Sequence, residues 1–154
     1  KVVFRFFIVS LIIGYLAELL GVHTGFPFGD YTYGESLGPK IGGVPIVIGV
    51  NWFIVAIGAK ELAVRMFRLK GFQIFGASLL MVALDFLIEP VAIQIDFWTW
   101  TTGDIPTSNY LGWIGVGLLL QVIWDYWMPK TSNPLAIPVL IVQSVFFLTL
   151  LLLL

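Results

Sequence analysis

Two acidic residues interrupt a long apolar stretch of this chain. Asp85 and Glu89 lie four residues apart in GASLLMVALDFLIEPVA, so on a helix their carboxyl groups share one face. The stretch is long and apolar enough to cross a bilayer, and a charged side chain near the centre of a membrane helix costs roughly 2.5–3.5 kcal/mol. Both carboxyl groups therefore need hydrogen-bond partners or a proton, and intramembrane acids of this kind indicate a functional site.

The acid pair is suited to proton transfer. Two neighbouring carboxyl groups in a medium of low dielectric constant cannot both ionise cheaply, so we expect one of them to hold a proton at neutral pH. That group could act as a general acid or as a proton relay. The structural alternative is a buried pair that only binds loop amides or a lysine. Glu18, near the end of the first apolar stretch, could join the pair across a helix interface or could face water.

Aromatic residues form the second group of candidates. Trp98 and Trp100 are two residues apart, so in an extended segment their side chains point the same way. Four further aromatic residues could complete the wall of a slot for a flat apolar ligand or a developing cation: Tyr31, Tyr33, Trp52 and Trp113. An aromatic face stabilises a cation by roughly 0.5–2 kcal/mol. The alternative is the ordinary aromatic belt of a membrane protein. Asn51 and Asn109 could hold a water molecule.

The composition is that of an integral membrane protein. Of the 154 residues, 59% are hydrophobic and 11% are charged, whereas about 25% of a soluble domain is charged. With no cysteine and a single histidine, His23, one chain cannot build a disulfide, an iron–sulfur cluster or a bis-histidine haem. The net charge of −1 without a basic block argues against a nucleic-acid partner. A metal site built from carboxylates stays open, but its ligand set would be poor, so we expect no cofactor and no metal site.

Five stretches meet the roughly 20-residue length of a membrane helix. They predict an all-α, polytopic transmembrane helix bundle, a single domain over residues 1–154, with spans at 2–22, 41–59, 72–92, 110–128 and 137–154. Gly42, Gly43 and Pro45 indicate an irregular start to the second span. The chain begins without Met and stops within a leucine run, so we expect it to be a fragment of a larger bundle.

The positive charges predict how these spans are oriented. Residues 60–71 contain four Lys or Arg residues and one Glu, so the positive-inside rule places this loop in the cytoplasm. Further cationic residues then fall on the same side, namely Lys1, Arg5 and Lys130. We expect the loops 23–40 and 93–109 to lie together on the opposite face. The protein is thus predicted to be a multi-pass protein of the cell inner (cytoplasmic) membrane.

An acid in an apolar, aromatic-lined membrane pocket suits a lipid-soluble substrate. Its simplest chemistry is protonation of an alkene, after which the cation captures water, loses a proton or cyclises. A non-catalytic binding protein and a small transporter that uses the acids as a proton relay are consistent with the same residues. These residues by themselves leave the three functions open.

The sequence resembles the carotenoid biosynthesis membrane proteins, a family that includes the carotenoid 1′,2′-hydratases. The matching stretches are ELLGVHTGFPFGDYTYGESLGPKIGGVPIVIGVNW at 18–52, DFLIEPVA at 85–92, and WTW followed by IPTSNYLGW within 98–113. The resemblance implies a cofactor-independent hydro-lyase that adds water to the terminal 1′,2′ double bond of an acyclic carotenoid end group, as in lycopene or γ-carotene. Its partners would be a carotenoid or other polyisoprenoid lipid, membrane lipid and, as a further possibility, a membrane-protein complex.

The resemblance also suggests roles for the candidate residues. Asp85 or Glu89 would protonate the alkene, and we favour Glu89 because it lies nearer the loops and precedes Pro90. The tertiary cation would be stabilised by indole rings, those of Trp98, Trp100 and Trp113. Water held by Asn109 or a second carboxylate would add to the cation, and the other acid would accept its proton. The alternative is a non-catalytic carotenoid-binding or structural subunit of a membrane complex.

Overall fold

The structure is a computed structural model that describes residues 2–127, 133 and 135–154. Within these residues the chain forms five helices: α1 (Val2–Thr24), α2 (Ile46–Met66), α3 (Lys70–Gln94), α4 (Thr107–Trp127) and α5 (Ala136–Leu153). The predicted all-α helix bundle is confirmed. Some residues that the sequence analysis used lie outside the described part: Lys1, Met128 and Lys130.

The surface of α1 shows that the bundle is built for an apolar environment. Its exposed side chains include large apolar residues at every fourth position: Phe4, Ile8, Ile12, Leu16 and Leu20. Its buried positions are mostly small or polar: Phe6, Ser10, Gly14, Glu18 and Gly21. Among the described residues, the helices long and apolar enough to cross a membrane are α1, α2, α3 and α5. That α4 also crosses it stays a prediction.

The second helix differs from the predicted span at both ends. Lys40–Ile41 (β2) and Val44–Pro45 (β3) pair in an antiparallel hairpin, and its turn holds Gly42 and Gly43 at φ 58° and 84°, where glycine is favoured. The helix therefore begins only at Ile46. It continues past residue 59 because AKELAVRM consists mainly of strong helix formers. Much of the predicted loop 60–71 is thus helical.

The two long loops meet in a small sheet. Tyr31–Tyr33 (β1) pairs antiparallel with Trp98–Trp100 (β4), so that Tyr31 lies opposite Trp100 and Tyr33 lies opposite Trp98. The N–H of Glu35 donates to Asp96 Oδ2 at 2.9 Å and extends this contact. Facing positions of paired strands bring their side chains close together. The pairing therefore gathers the aromatic residues of both loops at one end of the bundle.

Polar contacts at the opposite end fix α4 against α2. Lys60 is 2% exposed and forms an ion pair with Asp125. Gln121 Nε2 donates to the carbonyl oxygen of Ala56 at 3.0 Å. Because a helix is stiff, these contacts also set the position of the first turn of α4, which carries Asn109.

Candidate active site

A cavity of about 140 Å³ lies at the end of the bundle where the two long loops pair. Its walls come from all five helices of the described chain and from β1 and β4. The residues singled out from the sequence all line it: Glu18, Tyr31, Tyr33, Trp52, Asp85, Glu89, Trp98, Trp100, Asn109 and Trp113. The structure thus brings the acids and the aromatic residues into one site, while their roles stay proposals.

The amide of Asn109 holds the two acids of α3 side by side. Its Nδ2 donates to Asp85 Oδ2 at 2.8 Å and to Glu89 Oε1 at 2.9 Å. The four-residue spacing puts both carboxyl groups on one face of α3, as predicted, and the first turn of α4 places Asn109 against that face. All three side chains are buried. Removal of this amide would leave two adjacent carboxyl groups without a shared donor.

Two tryptophans complete the surroundings of Glu89. Trp98 Nε1 and Trp100 Nε1 both donate to Glu89 Oε2, at 3.1 and 2.9 Å. The extended conformation of β4 turns both indoles the same way, which confirms the prediction from their spacing. Together with Asn109, they surround Glu89 with N–H donors, and such donors stabilise the carboxylate form.

Glu18 is buried in a similar way on the neighbouring wall. Trp52 Nε1 donates to Oε1 at 3.0 Å, and the hydroxyl groups of Tyr31 and Tyr33 donate to Oε2 at 2.5 and 2.7 Å. Burial, and then the charge of Glu18, raises the pKa of Tyr31 and of Tyr33 above the usual value. Both phenols therefore keep their protons and remain donors at neutral pH. Glu18 joins the other acids in the cavity and does not face bulk water.

Asp85 accepts fewer hydrogen bonds than Glu18 and Glu89. Its Oδ2 accepts from Asn109, but no hydrogen-bond partner within the described part of the chain contacts Oδ1. The side chain is 0% exposed. A buried carboxyl oxygen without a donor is poorly stabilised as an anion.

Aromatic rings form much of the remaining wall. Trp52 and Trp113 stack with ring centroids 4.2 Å apart, and Trp100 lies 5.1 Å from Tyr31. Trp52 approaches α1 so closely that a Cβ at Gly14 would collide with it. Phe28, 2% exposed, packs beside Trp52 and lines the cavity. Sequence reasoning missed Phe28, because one phenylalanine among the 13 in the chain carries no distinguishing signal.

The last wall comes from α5, which the sequence analysis did not connect to the site. Gln143 and Phe147 line the cavity, and Gln143 Nε2 donates to Asn51 Oδ1 at 2.7 Å. The sequence signal that could have identified Gln143 is its amide side chain in an otherwise apolar span.

In residues 2–127, 133 and 135–154, no group of three or more acidic or histidine side chains is placed to hold a metal ion.

Comparison with known proteins identifies the family. The profile of the family described as "Carotenoid biosynthesis protein" matches residues 1–154. A bisanhydrobacterioruberin hydratase of Haloarcula japonica is 29% identical over 120 residues, in an alignment that covers 73% of this chain and 41% of that relative. The chain thus spans less than half of the relative's length. No solved structure matches the chain. Because the profile covers the whole chain, the predicted resemblance is confirmed, and this membrane protein belongs to the carotenoid biosynthesis protein family.

Proposed function

We propose that the protein is a hydratase that adds water to the terminal 1′,2′ double bond of an acyclic carotenoid end group, such as that of lycopene or γ-carotene. The observation that carries the proposal is one apolar, aromatic-walled cavity in which Glu18, Asp85 and Glu89 are buried together. Membership of a carotenoid biosynthesis family and similarity to a hydratase support it. Acid catalysis by carboxyl groups requires no cofactor.

The size of the cavity fits an end group and not a whole carotenoid. A cavity of roughly 150 Å³ holds a ligand of the size of benzene, and this one measures about 140 Å³. The terminal isoprenoid unit would occupy it, and the rest of the polyene would extend out of the cavity. The side of the cavity near Val47, which is 47% exposed, offers such a path towards lipid.

The hydrogen bonds support Asp85 as the proton donor, in place of Glu89. Glu89 accepts N–H groups from Trp98, Trp100 and Asn109, which favour a carboxylate, whereas Asp85 Oδ1 has no donor among the described residues. The position before Pro90 does not single out Glu89, since α3 continues through Pro90 to Gln94. Asp85 would thus rest in the protonated form beside an ionised Glu89.

The reaction then proceeds in two steps with balanced protons. Asp85 gives its proton to the alkene carbon whose protonation leaves a tertiary cation on the neighbouring carbon. The carboxylates of Glu18 and Glu89 and the faces of Trp52 and Trp113 stabilise that cation. Water forms the new carbon–oxygen bond, and the proton that it loses returns to the Asp85–Glu89 pair. The sum is one water added across one double bond.

The test is expression of the full-length protein in a lycopene-accumulating host, with pigments analysed by mass. We expect a gain of one water per reacted end group, and complete loss of that product in Asp85→Asn. The matched control is Asp104→Asn, which changes an exposed loop acid and should leave the yield unchanged. Unchanged hydroxycarotenoid in both Asp85→Asn and Glu89→Gln would contradict the proposal. Bound carotenoid without turnover in the wild type would instead favour a pigment-binding subunit.

We further propose that the protein crosses the inner (cytoplasmic) membrane with residues 60–71 on the cytoplasmic side and the cavity near the opposite face. Arg65, Arg68 and Lys70 are exposed at the end of the bundle away from the cavity, as the positive-inside rule requires. Lys60 does not count among the exposed cations that support this orientation, because it is buried in its ion pair with Asp125.

A further inference from the structure

We infer that Gln143 and Asn51 form a second polar subsite of the cavity, which binds the oxygen of the attacking water and afterwards the hydroxyl group of the product. This inference rests on the proposed hydratase function. It concerns how the attacking water is held in place, a step for which the carboxyl groups give no explanation. Both residues line the cavity, and Gln143 Nε2 donates to Asn51 Oδ1 at 2.7 Å. The pair joins α5 to α2.

The side-chain carbonyl oxygen of Gln143 has no hydrogen-bond partner among the described residues. This atom, Oε1, is buried. Buried polar atoms are nearly always paired with protein or with ordered water, and the membrane interior offers no bulk water instead. An acceptor on a cavity wall is thus a binding site for an O–H donor. Water and a tertiary alcohol, the substrate and the product of hydration, are such donors.

The polar residues of α5 single out Gln143. Within α5, which the structure describes in full, the polar side chains are Gln143, Ser144 and Thr149. Ser144 Oγ donates to the carbonyl of Leu140 at 2.9 Å, and Thr149 Oγ1 donates to that of Val145 at 2.8 Å. These hydroxyl groups are satisfied by their own helix. Of these three side chains, Gln143 is the one whose given hydrogen bond reaches another helix, and it lines the cavity.

The subsite lies on different helices from the acids. Glu18, Asp85 and Glu89 belong to α1 and α3, whereas the amide pair belongs to α2 and α5. Asn51 directly precedes Trp52, which points to Glu18, and neighbouring residues of a helix point about 100° apart. Water can therefore be held beside the cation without displacing the donors on the carboxylates. An amide oxygen takes up no proton, so the proton that the water loses still goes to the carboxyl pair.

Deuterium uptake separates water capture from protonation. The full-length protein in membranes is given lycopene in D₂O. Where the cation forms but finds no positioned water, it loses a proton and returns to an alkene, which leaves deuterium in the recovered lycopene. We expect Gln143→Met and Gln143→Ala to lower the hydrated product by roughly tenfold, the effect of one lost hydrogen bond of about 1.4 kcal/mol, while deuterium uptake persists. Gln143→Glu keeps an acceptor oxygen and should retain the product.

Ser144→Ala is the matched control, because this hydroxyl group is bonded within α5, and it should leave both signals unchanged. Full hydration by Gln143→Met and Gln143→Ala would overturn the inference. Loss of both signals in these variants, with an unchanged melting temperature, would also overturn it, because Gln143 would then act on protonation. A wild type that gives neither hydrated product nor deuterium uptake would show that the proposed function itself has failed.

Discussion

Individual polar atoms distinguish the three acids of the cavity. Glu18 and Glu89 are each surrounded by O–H or N–H donors, while one oxygen of Asp85 has no donor among the described residues. In a low-dielectric cavity three neighbouring carboxyl groups cannot all be ionised. The arrangement of donors therefore supports the proposed proton on Asp85, although the residue types are nearly equivalent. Replacing a single donor should reveal this division of roles.

The variant Trp100→Phe removes one N–H donor from Glu89 and keeps an aromatic ring in the wall. A hydrogen bond to a charged group is worth roughly 1.5–3 kcal/mol, so we expect hydration to slow by about tenfold to a hundredfold. The measurement is the initial rate of hydroxycarotenoid formation in membranes. Trp127→Phe, at an exposed position 43% accessible to solvent, serves as the control. A wild-type rate in Trp100→Phe would mean that Glu89 does not depend on this donor.

At the level of elements, close packing of α1 against α2 positions Glu18 beside Trp52. The buried stripe of α1 contains Gly14 and Gly21, and these small residues make room for aromatic side chains from other elements. The pairing of β1 with β4 also positions the site, since it holds the tyrosines and tryptophans of two separate loops over the acids. The position of Glu18 beside Trp52 thus depends on the spacing of α1 and α2.

The variant Gly14→Ala places a methyl group where it collides with Trp52. Such overpacking costs roughly 1–3 kcal/mol, so we expect a lower melting temperature in detergent and a weaker Trp52–Glu18 contact. Gly115→Ala is the matched control on α4, because nothing lies within 4 Å of a Cβ at that position. Since alanine is the better helix former, by up to about 1 kcal/mol, this control should be neutral or stabilising. Equal melting temperatures for the two variants would contradict the packing argument.

The whole molecule is polarised along the bundle axis. The cavity and the paired loops lie at one end, and exposed cations such as Arg65 and Arg68 lie at the other. Large apolar side chains cover the outside of α1 and α5, as expected for helices that face lipid. Under the proposed function, a carotenoid dissolved in the membrane would approach a surface of this apolar character.

The proposed orientation can be tested with single cysteines, because the chain contains none. We expect Glu35→Cys, at a side chain 90% exposed near the cavity, to react with a membrane-impermeant maleimide in intact spheroplasts. Arg68→Cys, exposed at the opposite end, should react only after the membrane is broken. Retained hydration in both variants shows that they are folded. The reverse labelling pattern would overturn the orientation and leave the bundle itself unaffected.

Much of the architecture follows from local sequence. Long apolar stretches are enough to indicate the helices, and the four-residue spacing of Asp85 and Glu89 puts their carboxyl groups on one face. The two-residue spacing of Trp98 and Trp100 likewise predicts that both indoles point one way. The ends of α2 were harder to predict, because a glycine hairpin shortens its start and strong helix formers extend its end.

The composition of the site does not follow from local sequence, because it depends on contacts between residues far apart in the chain. Gln143 meets Asn51 across 92 residues, and Trp100 lies opposite Tyr31 only because β1 and β4 pair. Periodicity and composition contain no information about such partners. The sequence was therefore sufficient to predict that buried acids and aromatic rings would share one end of a membrane bundle. Only the tertiary structure assigned each donor to its acceptor, left Asp85 Oδ1 without one among the described residues, and added α5 to the cavity.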